Sequence, residues 1–243
     1  AWARPEVLVP FDFDNMVVSL HYAFRVAFLH AESPKEFIQL WSKERARKMI
    51  NLIKAAYAEE DEAFVQDVLT AFKRGRKYVH IRLRRVLRQY RRMQVPTYLH
   101  DSEQYRFIVE LFRTNRVFPV RGDLTADISM RSVARAAEEA GLSIGTLYLS
   151  NAEQYFKYTK RYRENMLALP LDANTAVIRT AGKNAAQAPD GRYQYIVQSG
   201  DNFHAWLQSP STFTVWTIVG VRKVDPRTGG STVTRMPPDQ RKK

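Results

Sequence analysis

The strongest constraint on the fold of this chain is a change of period around Pro96. From Met16 to Met93 apolar residues recur at helical spacing, with Ser33-Pro34-Lys35-Glu36 restarting a helix by Ser at the cap and Pro at the first helical position. One more helix, about 102–115, carries Tyr105, Ile108, Val109 and Phe112 on one side. Short apolar runs then alternate with helical ones. Val117–Val120 reads as a strand ended by Arg121-Gly122-Asp123, 128–140 as a helix stopped by Gly141, and 143–149 as a strand ended by Ser150-Asn151. A helix over 152–168, a strand over 175–180, a loop over 181–192 and two strands at 193–198 and 214–223 around a short helix complete the pattern. Near the start, Glu6–Pro10 reads as a strand leading into Asp12-Phe13-Asp14-Asn15, residues suited to capping a helix. Strand, helix, strand at this spacing predicts a Rossmann-like α/β fold: a mostly parallel sheet flanked by helices, with antiparallel C-terminal strands. A single domain over 1–224 with a helical insertion at about 35–95 is expected, followed by a basic flexible tail over 225–243.

Composition removes several kinds of chemistry. The 243 residues include no cysteine, which excludes disulfide frameworks, Cys-ligated zinc, iron–sulfur centres and thiol nucleophiles. The five histidines form no His-x-x-x-His or His-Glu-x-x-His pair, so no metal site is expected; His21 reads as a core residue. The chain has neither a Gly-x-Ser-x-Gly elbow nor a P-loop. No apolar run is long enough for a transmembrane helix, and no targeting segment is visible. Cytoplasm is preferred over a processed, exported form, and oligomeric state is left open.

In an open parallel sheet, ligands bind beyond the carboxyl ends of the strands. Three predicted ends are polar there: Asp12, Asp14 and Asn15; Gly122 and Asp123; Ser150 and Asn151. A carboxylate at the first suits ribose hydroxyls. Gly-Asp at the second lets the backbone approach an adenine while the carboxylate takes its amino group. The third faces the reacting end of a ligand. Beyond it, Asn151, Glu153 and Tyr155 are the catalytic candidates, with Glu153 as a base and Tyr155 as a stacking platform. The alternative is local: Gly, Asp and Asn end strands and cap helices, Glu153 complements a helix dipole, and Tyr155 is buried.

Val120-Arg121-Gly122-Asp123-Leu124, the run Leu147 to Tyr155 with its Ser-Asn-x-Glu-Gln-Tyr core, Asn165 to Asp172 and Ala176 to Thr180 together resemble an uncharacterised bacterial family similar to class I S-adenosylmethionine-dependent methyltransferases. The resemblance extends over about 7–203. It implies a seven-stranded Rossmann-like sheet, S-adenosylmethionine as cofactor, Asp12 or Asp14 at its ribose, and methyl transfer to an unidentified acceptor. That family carries a Gly-rich turn after its first strand. Here the only glycines before position 141 are Gly75 and Gly122, so the first strand is expected upstream of Ala1.

A second feature suggests a different function. Lys and Arg number 38 against 25 Asp and Glu, a net +13. Ten of the positive residues lie between Lys73 and Arg92, with no acid among them. Phe72, Val79, Leu83, Val86 and Tyr90 recur at helical steps and mark the inward face of that segment. Arg84, Arg85, Arg88 and Arg92 then face outward, where they would attract a polyanion: nucleic acid, an anionic membrane or an acidic partner. The alternative is a solvated face that keeps the chain soluble. The two functional readings are an S-adenosylmethionine-binding, methyltransferase-like protein and a catalytically silent Rossmann scaffold that docks on a polyanion.

Overall fold

A computed structural model describes residues 4–181, 194–225, 227 and 230–238. Most of the loop expected over 181–192 and parts of the expected tail lie outside the described residues. The chain divides into two units, Ala1–Gly122 and Asp123–Lys243.

The first unit is built of helices whose starts are fixed by short polar side chains. The Asp14 carboxylate accepts the Met16 N–H at 2.8 Å and opens α1 (Asn15–His30). Ser33 Oγ accepts from the Glu36 N–H at 3.2 Å and opens α2 (Pro34–Leu40). After α3 (Ala46–Ala56), Asp61 caps α4 (Glu62–Arg92) and Asp101 caps α5 (Ser102–Arg113) in the same way. Each cap satisfies an N–H that the helix itself leaves without a partner. The inward faces meet in an aromatic core. Phe28 stacks on Phe37 at 4.1 Å and on Phe112 at 5.2 Å, and Trp41 and Phe72, both fully buried, lie 5.5 Å apart. Gly75 lets α1 and α4 close up, since a Cβ there would meet Leu20 at 3.2 Å. At the edge of this unit β1 (Phe11–Asp12) pairs in parallel with β2 (Val120–Arg121), and Leu8 bridges Val117.

The second unit carries a five-stranded sheet. Its strands are β3 (Thr146–Ser150), β4 (Ala176–Ala181), β5 (Gln194–Ser199), β6 (Lys223–Val224) and β7 (Ser231–Val233), in the order β3-β4-β5-β7-β6. β3/β4 and β5/β7 are parallel, whereas β4/β5 and β6/β7 are antiparallel. The helices are α6 (Ser129–Glu139), α7 (Lys160–Leu167), α8 (Gly200–Gln208) and α9 (Val215–Val219). Val177 and Ile196 on the strands are fully buried, as are Tyr162 and Met166 of α7 and Phe203 of α8.

This architecture corrects the expected fold class. The chain is α/β, but it lacks the mostly parallel Rossmann sheet: β1 and β2 form a sheet of their own, and the second sheet is mixed. Its centre is the antiparallel β4/β5 pair, which needs no helical crossover. The helices of 35–95 are the body of the first unit rather than an insertion. Two local readings also change. The apolar run read as a strand at 214–223 folds as the five-residue α9 followed by β6, a length at which periodicity does not separate helix from strand. The stretch read as a tail supplies β7, with Ser231 and Val233 buried between β5 and β6.

Candidate functional site

At 1.5 Å per residue the 31 residues of α4 make a rod about 46 Å long. Phe72, Val79 and Leu83 are buried along one side, with Val86 packed against the same core. Lys73, Arg74, Lys77, Arg84, Arg88, Arg91 and Arg92 are exposed, and Arg76, Arg82 and Arg85 are half-buried. Among the described residues, none of these ten cations forms an ion pair. Arg76 is held by a hydrogen bond to the Trp41 carbonyl at 3.3 Å. Tyr78 and Ile81, 71% and 57% exposed, stand in the same outward row. Sequence reasoning missed this pair, although an aromatic and an aliphatic residue on the charged side of an amphipathic helix is its visible signal. His80 lies half-buried beside the row. Burial, and then the Arg84 charge, hold its pKa below the usual imidazole value.

The expected cofactor residues do not line one sheet edge. Asp12, Asp14, Asn15 and Gly122 belong to the two-stranded sheet and the start of α1, whereas Asp123, Ser150 and Asn151 belong to the second unit. Several are already engaged in hydrogen bonds. Asp12 accepts from the Asp14 N–H at 2.9 Å, Asn15 donates to Asp67 at 2.7 Å, and the Gly122 N–H donates to the Asp12 carbonyl at 2.9 Å. Asp123 accepts from the N–H and the hydroxyl of Thr125 at 2.7 and 2.8 Å. Of His21, burial holds the pKa down, with the Asp12 charge opposing the shift.

The catalytic candidates lie at the end of β3, and they divide. Tyr155 is 79% exposed, and its hydroxyl accepts from Asn151 Nδ2 at 3.1 Å. Glu153 is 2% exposed and forms a buried ion pair with Arg179, itself 2% exposed, through Arg179 Nε at 2.6 Å. The hydroxyls of Tyr158 and Tyr162 both donate to Glu153 Oε1, the latter at 2.8 Å. Burial, reinforced by the Glu153 charge, drives both tyrosine pKa values upward, so they remain donors. Arg179 Nη1 donates to Gln198 Oε1 at 2.6 Å, Gln198 Nε2 to Asn202 Oδ1 at 2.8 Å, and Asn202 Nδ2 to the Arg235 carbonyl at 3.3 Å. The guanidinium also lies 5.2 Å from the Phe203 ring centre. Among the described residues, Arg179 Nη2 is buried with no hydrogen-bond partner. A cavity of about 10 Å³ is lined by Ser150, Asn151, Glu153, Arg179, Trp216 and Val219, among others. The sequence carried a sign of this cluster: an arginine inside the apolar strand Ala176–Ala181 must find a buried counter-charge.

Glu153 thus accepts from three donors, Arg179 among them, and is buried, which leaves it poorly placed to take a proton from a substrate. Among the described residues no group of three or more acidic or histidine side chains could hold a metal. No helix among them is long and apolar enough to cross a membrane.

A family model matches residues 1–234 and is described as a domain of unknown function, DUF7790. The chain belongs to this family. The match runs through both units, so the helical body, the β3 end and the side chains of the Arg179 cluster from Glu153 to Asn202 fall within the family domain. The description assigns no activity. No curated protein matches the chain.

Proposed function

We propose that this member of the DUF7790 family is a polyanion-binding protein whose contact surface is the outer face of α4. One observation carries this reading: ten cations in twenty residues of one helix, none of them in an ion pair among the described residues, backed by a face committed to the core. Charges on a structural helix are commonly interleaved with acids at i+3 and i+4. This segment has none, so its like charges lie side by side on one face and present a strongly positive surface to an anion. Nucleic acid suits it best, because the exposed Tyr78 offers a ring for base stacking within the arginine row. The S-adenosylmethionine reading drew its geometry from strand ends of one parallel sheet, and these belong to two separate sheets.

The test is charge reversal of Arg84, Arg85, Arg88 and Arg92 to Glu in the full chain, with fluorescent single- and double-stranded oligonucleotides as probes. Each phosphate contact contributes about 0.7–0.9 to the slope of log K against log salt, so losing four reduces the slope by roughly 3 to 4. The expected result is a native circular-dichroism spectrum with much weaker binding at low salt and the smaller slope. A folded variant that binds as the parent does overturns the proposal. A variant that unfolds assigns the arginines to the fold.

A further inference from the structure

The Glu153–Arg179 cluster is complete except at one atom. Its donors and acceptors run in order: two tyrosine hydroxyls and Arg179 Nε into Glu153, Arg179 Nη1 into Gln198, Gln198 into Asn202, and Asn202 into the Arg235 carbonyl. What remains is a donor, Arg179 Nη2, on a side chain 98% buried that forms part of the wall of the cavity. A buried donor without an acceptor costs free energy comparable to a lost hydrogen bond, more for a charged group.

The chemistry of the walls selects what can supply that acceptor. Glu153 already neutralises Arg179, so a carboxylate or phosphate oxygen would leave a net negative charge in a desolvated site beside Glu153. A cation would face the guanidinium. An uncharged oxygen meets neither penalty, and a cavity of about 10 Å³ has room for about one such atom. The remaining walls extend this choice. Trp216, 50% exposed, and Val219 are apolar, and the Asn151 amide donates to Tyr155 at 3.1 Å through its nitrogen, which leaves its oxygen as an acceptor. An unpartnered donor on one lining side chain, an amide oxygen on a second and an indole on a third match the C=O, the N–H and the apolar part of an amide.

We propose that this cavity binds the carbonyl oxygen of an uncharged amide ligand, with Arg179 Nη2 as the donor, Asn151 at the amide N–H and Trp216 against the ligand's apolar part. The site lies wholly in the second unit and is independent of the polyanion surface on α4.

The experiment uses the full chain labelled with ¹⁵N, titrated through the millimolar range with N-methylacetamide and, separately, with sodium acetate at constant ionic strength. The expected result is a saturable shift of the Arg179 side-chain N–H signals and of the Trp216 indole N–H with the amide, and none with acetate. Val219→Ile adds a methylene to the cavity wall and should remove the amide response while the rest of the spectrum is retained. If that variant does not fold, Trp216→Ala, at a half-exposed position, replaces it and should weaken the response at Arg179 at least several-fold. Three results overturn the proposal: no saturable shift, which makes the cavity a water site only; an equal or larger response to acetate; or an undiminished response in the folded variant.

Discussion

At the scale of single residues, the charged groups of this protein separate into those with fixed local partners and those without. Asp14, Asp61 and Asp101 spend their carboxylates on helix starts, and Asp12 and Asp123 accept bonds from residues two positions further on. Glu153 and Arg179 are different, because their partners come from η1 (Ala152–Tyr155), α7, β4 and β5. Removing one member of a buried pair leaves the other uncompensated. Glu153→Ala is expected to cost about 3–5 kcal/mol, since it strands the guanidinium and two tyrosine hydroxyls at once. Replacing both members, Glu153→Leu with Arg179→Met, is expected to cost markedly less than the sum of the singles. Urea unfolding followed by circular dichroism and tryptophan fluorescence reads both. A Glu153→Ala midpoint equal to that of the parent would show that the pair adds nothing.

At the scale of elements, two glycines do opposite work. Gly75 lies inside α4, where glycine weakens a helix by about 1 kcal/mol relative to alanine. The neighbour of a Cβ there is the flexible end of Leu20 at 3.2 Å, which can turn aside. Gly200 opens α8 directly after β5, and a Cβ there would meet the Asp172 carbonyl oxygen at 2.6 Å and Leu171 Cβ at 2.8 Å. Main chain cannot turn aside, so the junction of β5 and α8 must shift. Gly75→Ala is expected to be near neutral, whereas Gly200→Ala should lose about 1–3 kcal/mol, the range for overpacking a closed site. Thermal melts of the two variants decide it. Equal melting temperatures would mean that the approach of Asp172 to Gly200 imposes no constraint.

At the scale of the whole chain, the division after Gly122 places the basic helix in one unit and the Glu153–Arg179 cluster in the other. The aromatic core of the first unit, from Ala23 to Val117, is contributed entirely by that unit. A fragment of residues 1–122 is therefore expected to fold as a helical protein and to bind oligonucleotides with the salt slope of the full chain. Circular dichroism and the same salt titration check it. A folded fragment with a slope reduced by half or more would place part of the phosphate contact beyond residue 122.

Much of the first unit was legible in the sequence because its signals are local. A cap and the N–H it satisfies lie two or three residues apart, as at Asp14 and Ser33, and a helix face repeats every three to four residues, as along Phe72, Val79 and Leu83. The concentration of charge on 73–92 is likewise a property of the chain order itself. Strand pairing is not. Whether β3 and β4 share a sheet with β1 depends on contacts between residues far apart in sequence, and a short apolar run looks the same in either sheet. Gly, Asp and Asn at strand ends therefore suggested one cofactor cleft, while folding put them in two sheets. The helix at 215–219, the strand at 231–233 and the donor left over at Arg179 were decided in the same way, by which neighbours the fold brought to them. The sequence by itself determined where the helices begin and which face carries charge, because those depend on residues within one helical turn. Only the tertiary structure decided the sheets and the buried cluster, because both are made by partners that chain order does not bring together.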